Sequence, residues 1–472
     1  MRNTEEIWRL VDAKAPDAIE LADRVWGMPE LCYAEVRSCA EHTALLEKHG
    51  FRVERDIAGI PTAVMGEAGE GGPVIAILGE YDALPGLSNE AGVAEHKPLP
   101  GDGSGHGCGH NLLGSASLLA ASAVKDWLAA NGVKARVRYY GCPAEEGGAA
   151  KGFMVRAGVF DDVDMAICWH PAAFTGVNEA VSLANTRIDF AFTGRSSHAA
   201  AAPHLGRSAL DAVELMNVGV NYMREHMPSD ARIHYAYLDA GGIAPNVVQG
   251  AAKVRYLIRA RDLVELNGLV ARVRKIADGA ALMTETSVTT KVVSAVSNLL
   301  ANTPLEQAMY ATMQRLGPPE FDEADRAYAK QIQGTLSEED IASSFRRHGL
   351  TVERDKALCD IIVPLDAKGY GGVGSTDVGD VSWAVPTVQA RGATYAIGTP
   401  GHSWQLTAQG KSGIAHKGLV HVAKIMAGTA VDAISNPEIL AAAKADHKAR
   451  TDAHPYVCPL PPDVNPPIKM SA

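Results

Sequence analysis

The stretch "PVIAILGEYDALPG" at residues 73–86 decides the fold, because a near-continuous apolar run ends abruptly in charged residues. Its first six residues have the length of a strand that is buried on both faces. The runs "ARVRYYG" at 135–141 and "DMAICWH" at 164–170 have the same character, and residues 111–132 between the first two predict a helix. This order predicts an α/β fold with a mixed, largely parallel sheet flanked by helices.

The pattern changes after residue 184, where alternating strands and amphipathic helices replace the apolar runs. Their order, β-α-β-β-α-β, predicts a ferredoxin-like α+β domain, which we place at 185–298. The stretch "WAVPTVQARGATYAIGTPGHS" at 383–403 offers two more apolar runs with which the first sheet can resume. We therefore predict one discontinuous domain, made of 1–184 and 299–472, that carries the ferredoxin-like domain as an insertion.

The bulk composition excludes several classes of protein. A length of 472 residues predicts more than one domain, and a formal net charge of −11 speaks against a nucleic-acid partner. No apolar stretch approaches the roughly 20 residues of a membrane helix, so we expect no membrane association. Seven scattered cysteines fit no disulfide framework, which predicts a reducing, cytoplasmic setting. Residues 317–370 hold many charges and few strong patterns, and we interpret them as a peripheral insertion.

Ionisable side chains follow each of the three apolar runs. They are Glu80 and Asp82, then Glu145 and Glu146, and then His170. In open α/β sheets the ligand crevice lies outside the carboxyl ends of the strands, so we expect these groups to converge. The segment "HGCGHNLLG" at 106–114 leads into the helix between two of these strands and can join them.

Cys108 and His110 have the spacing of a pair that shares one centre, since residues two apart in an extended segment point the same way. Thiolate and imidazole are strong ligands for zinc-like metals. The alternative is a polar loop with a buried cysteine and a histidine that caps the helix. A nucleophilic Cys108 with His110 as its base is less favoured, because no third residue is evident to orient the base.

The acidic pair and two further histidines add to this interpretation. One of Glu145 and Glu146 can bind a metal while the other takes a proton from water, although a solvated acidic pair in a turn remains the alternative. His170 alone would be a core residue, and His402 on the Gly/Pro loop "GTPGHSW" would be a weak candidate. Together with the other motifs, both are candidate ligands.

The predicted inserted domain contributes three further candidates, His198, Asn246 and Arg259. Each has a plain interpretation, since the first two lie in turns and the third is a charge on a strand face. Together they offer an imidazole, an amide and a cation, which are the groups that bind a carboxylate or stabilise an oxyanion.

Several of these motifs carry a family resemblance that covers about residues 15–435. The motifs, in order, are "PELCYAEVRSCAEHTALLEKHGF", "GEYDALPG", "HGCGHN", "PAEEGGA", "GRSSHAAAAPH", "GGIAPNVV", "STDVGDVSWAVPTV" and "PGHSW". The chain resembles the co-catalytic metallopeptidases and amidohydrolases that include aminoacylase, hippurate hydrolase and the auxin-conjugate hydrolases. Two residues depart from the family pattern: Trp26 stands where many relatives have histidine, and Asn111 where aspartate is usual.

The resemblance implies a role for each candidate residue. The implied ligands of two divalent metal ions, Zn²⁺ or Mn²⁺, are Cys108, His110, Glu146, His170 and His402, with the Cys108 thiolate suited to bridging the ions. Glu145 matches the general base, and Asp82 matches the acid that orients a ligand. His198, Asn246 and Arg259 match the substrate contacts.

The resemblance also implies a zinc-peptidase-like catalytic domain that cleaves the amide of an N-acyl or N-aroyl amino acid. The expected substrate is p-aminobenzoyl-glutamate or a similar acyl-glutamate or acyl-aspartate. The alternatives are an aminoacylase or dipeptidase acting on another conjugate, such as an indole-acetyl amino acid, and a non-catalytic partner subunit of a heteromeric hydrolase. The inserted domain is expected to serve as a lid and to form a homodimer in which His198 reaches the neighbouring site. A heteromer with a related subunit stays open.

Overall fold

The computed structural model describes residues 4–369 and 374–470, which fold around two β-sheets. The strands are β1 Arg52–Arg55, β2 Val64–Gly69, β3 Val74–Glu80, β4 Arg136–Cys142, β5 Met165–Ala172, β6 Gly176–Val177, β7 Ala184–Thr193, β8 Arg232–Asp239, β9 Ala251–Ala260, β10 Ser287–Val296 and β11 Thr387–Ala393. The α-helices are α1 Thr4–Trp26, α2 Val36–Lys48, α3 His110–Asn131, α4 Ala150–Arg156, α5 Ala209–Met223, α6 Leu263–Thr284, α7 Thr303–Leu316, α8 Glu323–Gln333, α9 Glu338–Arg347, α10 Val378–Ala384, α11 Trp404–Gln409, α12 Gly413–Ser435 and α13 Pro437–Ala453.

The first sheet has the strand order β1-β2-β4-β3-β5-β11-β6. Its four central strands run parallel, while β1, β2 and β6 are antiparallel additions at the two edges. Alternate residues of the central strands face two different cores: Ile77 packs under α1, α3 and α12, and Leu78 packs under α4 and α10. The predicted fold class, a mixed and largely parallel sheet flanked by helices, is confirmed.

The second sheet is antiparallel, with the order β10-β7-β9-β8, and α5 and α6 pack against it. The chain passes through β7, α5, β8, β9, α6 and β10, which is the predicted ferredoxin-like order. Strand β8 is an edge strand, and most of its side chains are exposed.

One strand expected from the sequence is absent. The region 383–403 contributes only β11 to the first sheet, whereas its second apolar run is a buried loop that contains Ala396 and Ile397. The amide of Ile397 donates to the carbonyl of Ala357, so the backbone of this loop pairs with the 317–370 region instead of a strand.

The 317–370 region is more ordered than its charge content indicated. It forms α8 and α9, and Phe345 of α9 packs edge-on against Phe174 with ring centroids 5.2 Å apart. Each helix begins with a capping box, at Asp322 and at Ser337, which is a local signal that the sequence carries. The interpretation of this region as a peripheral insertion stays a prediction, and the structure adds that it contains two capped helices.

Helix α12 corrects the expectation that no apolar stretch approaches membrane length. With 23 residues, it is long and apolar enough to cross a membrane, judged by length and composition alone. However, 67% of its most apolar window is buried inside the protein. It packs against α1, α3 and α7, and this burial is typical of a central core helix.

Candidate metal centre

The candidate ligands meet at the carboxyl ends of the parallel strands. Strand β3 ends at Glu80, the turn after β4 carries Glu145 and Glu146, and His170 lies near the end of β5. Helix α3 begins at His110, directly after Gly109, whose φ of +78° is left-handed. A Cβ at Gly109 would lie 3.0 Å from the ring of Pro171, so both the backbone conformation and the close approach favour glycine between Cys108 and His110.

Two groups of candidate ligands share the thiol of Cys108. Within each group all the ligand atoms lie within 4.8 Å of one another; the groups are Cys108, His110 and His170, and Cys108, Glu146 and His402. The Cys108 Sγ lies 3.3 Å from His170 Nε2, and Glu146 Oε2 lies 3.4 Å from His402 Nε2. The geometry therefore forms two adjoining positions around one sulfur atom.

The residues present fit a pair of divalent cations. Two buried atoms in the cluster, His110 Nε2 and Glu146 Oε1, make no hydrogen bond within the described part of the chain and lie 3.9 Å apart. Burial, reinforced by neighbouring carboxylates, raises the pKa of both Glu145 and Glu146 above the usual range. Cations at the two positions would satisfy the free donor atoms and balance this buried negative charge. Thiolate, imidazole and carboxylate together suit Zn²⁺ or Mn²⁺.

Asp82 holds two of the candidate ligands in place. Its Oδ1 lies 2.9 Å from His110 Nδ1, and its Oδ2 accepts a 2.9 Å hydrogen bond from the backbone N–H of Glu146. With a hydrogen on Nδ1, the imidazole presents the lone pair of Nε2 to the cluster, as a metal ligand must. This is the geometry expected of an acid that orients a ligand.

A third group of acid and imidazole places Glu145 beside the two positions. The ligand atoms of Glu80, His110 and Glu145 lie within 4.8 Å of one another. Glu145 belongs to neither of the groups around Cys108. It therefore lies next to the two positions around Cys108 and shares His110 with one of them.

A buried ion-pair network behind the cluster was missed in the sequence. The fully buried ammonium of Lys151 lies 2.6 Å from Glu80 Oε1 and 2.6 Å from Asp377 Oδ1. Asp377 also accepts from the backbone N–H of Lys151. The network ties the end of β3 to α4 and α10 and fixes the carboxylate of Glu80.

Glu35 supports the turn that carries the acidic pair. Its Oε1 accepts 2.9 Å hydrogen bonds from the backbone N–H groups of Tyr33 and Ala144, and burial raises its pKa to about 8. The hydroxyl of Tyr33 donates to the carbonyl of Gly148 on the same turn. Residues of the "PELCYAEVRS" motif thus position Glu145 and Glu146 through the backbone.

None of the three further candidates, His198, Asn246 and Arg259, belongs to a ligand group among the described residues. His198 and Asn246 occupy exposed, neighbouring loops, where the Ala199 N–H donates to the carbonyl of Asn246. The Nδ1 atom of His198 accepts from the N–H groups of its own loop. Arg259 lies on β9, and its Nη1 donates to the hydroxyl of Ser375 at 2.9 Å.

The two departures from the family pattern meet at one turn. The indole N–H of Trp26 donates to the carbonyl of Thr407, and the side-chain amide of Asn111 donates to the carbonyl of Gly410. Both side chains therefore anchor the C-terminal end of α11. His106 donates from Nε2 to the carbonyl of Val25 and lies buried outside the ligand groups, so its place is structural.

Comparison with known proteins identifies the family of the chain. The profile described as peptidase family M20/M25/M40 matches residues 76–354. The chain is 46% identical to one of the subunits of the p-aminobenzoyl-glutamate hydrolase of Escherichia coli, over 98% of this chain and 100% of that protein. It is 27% identical to the Xaa-Arg dipeptidase of Mus musculus over 93% of this chain and 91% of that protein.

A solved structure gives the same fold. It is the crystal structure of a dinuclear metal-binding M20 peptidase from Bacillus subtilis, with a TM-score of 0.57 and 18% identity over 90% of this chain and 99% of that one. The family resemblance carried by the motifs is thus confirmed. The chain belongs to peptidase family M20/M25/M40 and is a metal-dependent amidohydrolase.

Proposed function

We propose that the protein hydrolyses the amide bond of an N-aroyl or N-acyl glutamate, with p-aminobenzoyl-glutamate as the leading substrate. The observation that carries the proposal is the cluster around Cys108 with Glu145 beside it. The name of the 46% identical relative supports the choice of substrate. An aspartate conjugate is the nearest alternative, because it also carries a second carboxylate, on a side chain that is one methylene shorter.

The metal ions are proposed to be two Zn²⁺ or Mn²⁺ ions, held by Cys108, His110, Glu146, His170 and His402. Bound there, such a pair would polarise the amide carbonyl and make a water molecule more acidic. Glu145 takes the proton of the attacking water and then delivers it to the leaving nitrogen. Asp82 keeps the His110 ring in the tautomer that leaves Nε2 free.

Substrate contacts are proposed for the inserted region, which we place at 185–298. Arg259 and Asn246 hold the substrate carboxylate, and His198 stabilises the oxyanion. Because His198 lies in an exposed loop and belongs to no ligand group among the described residues, we propose that it serves the site of a neighbouring subunit. The protein would then work as a homodimer joined through this region.

Exposed apolar side chains support that dimer surface. Val218 and Tyr222 of α5 are 50% and 75% exposed, and Tyr235, Tyr237 and Leu238 are exposed on the edge strand β8. An unpaired edge strand next to an apolar helix face is suited to pairing with a second copy. The second copy would bury both features together.

Placing glutamate at Val218 and Tyr222 is expected to convert the dimer to a 49.8 kDa monomer and to lower activity with it. Leu282→Glu, at an exposed site near the end of α6, is the matched control and should leave the dimer intact. Sedimentation velocity of each purified variant measures the outcome. A wild type that sediments as a monomer with full activity, or only with a related chain as a heteromer, would contradict the homodimer.

Two other functions are alternatives: a hydrolase that uses the same cluster on a different substrate, and a subunit that does not use the cluster for catalysis. An enzyme for indole-acetyl amino acids or dipeptides would share every proposed ligand and differ in its substrate pocket. A non-catalytic subunit is the other alternative, since the relative's name marks it as one subunit of a hydrolase. The presence of Glu145 and a full ligand set favours a catalytic chain. We propose a cytoplasmic location, to which the seven free cysteines are suited.

The substrate assignment is tested by hydrolysis of a panel by the purified single chain. The panel holds p-aminobenzoyl-glutamate, an acyl-aspartate, indole-acetyl-aspartate, an Xaa-Arg dipeptide and a β-alanyl dipeptide, with released amine as the readout. We expect p-aminobenzoyl-glutamate to give the highest kcat/KM. A higher value for any other conjugate would replace the proposed substrate, and no hydrolysis at all would favour the non-catalytic role.

A further inference from the structure

A cavity of about 610 Å³ opens beside the candidate metal centre. His170 lines it at the centre, and so does Gly401, the neighbour of His402. The cavity continues along the edge of the first sheet, where polar side chains of β11 and of the segment after β6 line it. A substrate whose amide reaches the metal positions would place its remaining atoms in such a space.

Arg391 is one of two arginines that line this cavity. It lies on β11 in register with His170 on the adjacent parallel strand β5. Its Nε donates to Asn178 Oδ1 at 2.7 Å, and the amide of Asn178 in turn donates to Gln389 Oε1. This chain of hydrogen bonds holds the guanidinium through Nε and leaves Nη1 and Nη2 without a hydrogen bond to the described residues.

Arg391 has no carboxylate partner within the described part of the chain. No acidic oxygen of residues 4–369 or 374–470 lies within 4.0 Å of its guanidinium. The two acids that line the cavity are engaged elsewhere, since Glu179 pairs with Lys368 at 3.3 Å and Asp340 caps the start of α9. Burial lowers the pKa of Arg391, and the negative charge of Glu179, which lies beyond contact distance, offsets this effect only in part.

A second unpaired guanidinium contacts the wall of the same cavity. Arg259 donates to the hydroxyl of Ser375, and Ser375 lines the cavity. The Nε of Arg259 is buried without a hydrogen-bond partner, and among the described residues no carboxylate lies within 4.0 Å of it. Two guanidinium groups that both lack acidic partners match a ligand with two carboxylates, because each can bind one in a bidentate manner.

We propose that Arg391 binds the side-chain carboxylate of the substrate's amino acid, while Arg259 binds its α-carboxylate. Arg391 is then the residue that selects glutamate or aspartate conjugates over neutral ones, with Asn178 and Gln389 as the residues that position it. This inference rests on the proposed function and adds the specificity determinant for the acidic amino acid.

The test compares Arg391→Met with the wild type on p-aminobenzoyl-glutamate and on the isosteric p-aminobenzoyl-glutamine. We expect the wild type to prefer the glutamate conjugate, and the variant to lose about 100-fold in kcat/KM on it, as expected when a buried charge pair loses one partner. The glutamate-to-glutamine ratio should then fall toward one. Arg391→Lys should restore part of the ratio, and metal content should match the wild type in both variants.

Arg347→Met is the matched control, because this exposed arginine lines the same cavity. It should keep the wild-type ratio, whereas an equal loss in this variant would mean that general positive potential, and not Arg391, selects the substrate. A wild type that hydrolyses the glutamate and glutamine conjugates equally well would overturn this inference but not the proposed function. An Arg391→Met enzyme that still prefers the glutamate conjugate would do the same. A wild type inactive on every conjugate would overturn the proposed function and the inference with it.

Discussion

Replacing Glu145 with glutamine is expected to lower kcat by about 10³-fold or more while the bound metal stays at its wild-type level. Glutamine keeps the size and one oxygen of the side chain but cannot take a proton from water at neutral pH. Because Glu145 belongs to neither group around Cys108, both proposed metal positions keep their donors. Steady-state kinetics and elemental analysis of the same preparation measure the two quantities.

Glu146→Gln is the matched control one residue away. Glu146 lies in the group with Cys108 and His402, and its Oε1 is one of the buried atoms without a hydrogen bond. This variant should lose bound metal together with activity. The assignment of the two glutamates would be wrong if Glu145→Gln lost metal as Glu146→Gln does, or if it kept substantial turnover.

Removing the metal ions is expected to abolish activity completely. The cluster pairs buried carboxylates and a thiol with few protein cations, so it is built to work with divalent ions in place. Activity should return with Zn²⁺ or Mn²⁺ but not with an alkali cation. A cysteine hydrolase built on Cys108 would give the opposite pattern, surviving the chelator and losing activity with a thiol alkylator.

The sequence predicts the sheet and the converging strand ends because both signals are local. A run such as 73–78 indicates a buried strand by its own composition, and the residues that follow it must lie at the strand's carboxyl end. The same logic brought Asp82, Glu146 and His170 toward one place, and the structure puts all three there. The order of elements in the second sheet was equally evident from periodicity.

Other features depend on pairings between distant residues. Lys151 and Asp377 are 226 positions apart, and a lysine after two alanines gives no local sign that it will be fully buried. Arg391 is an ordinary strand-face charge in the sequence, and only the cavity shows that it lacks an acidic partner. The run around Ile397 has the apolar composition of a buried strand, but its backbone pairs with Ala357, and no local signal in the sequence indicates that pairing.

The central claim is that two divalent ions at the Cys108 cluster support amide hydrolysis by this chain alone. The most direct measurement removes metal from the purified protein with a chelator and titrates Zn²⁺ or Mn²⁺ back while metal content and p-aminobenzoyl-glutamate hydrolysis are followed together. We predict no activity in the metal-free protein and full activity when about two ions are bound per chain. Hydrolysis that persists without metal, or full activity with no bound ion at the cluster in a Cys108→Ser variant, would contradict the claim.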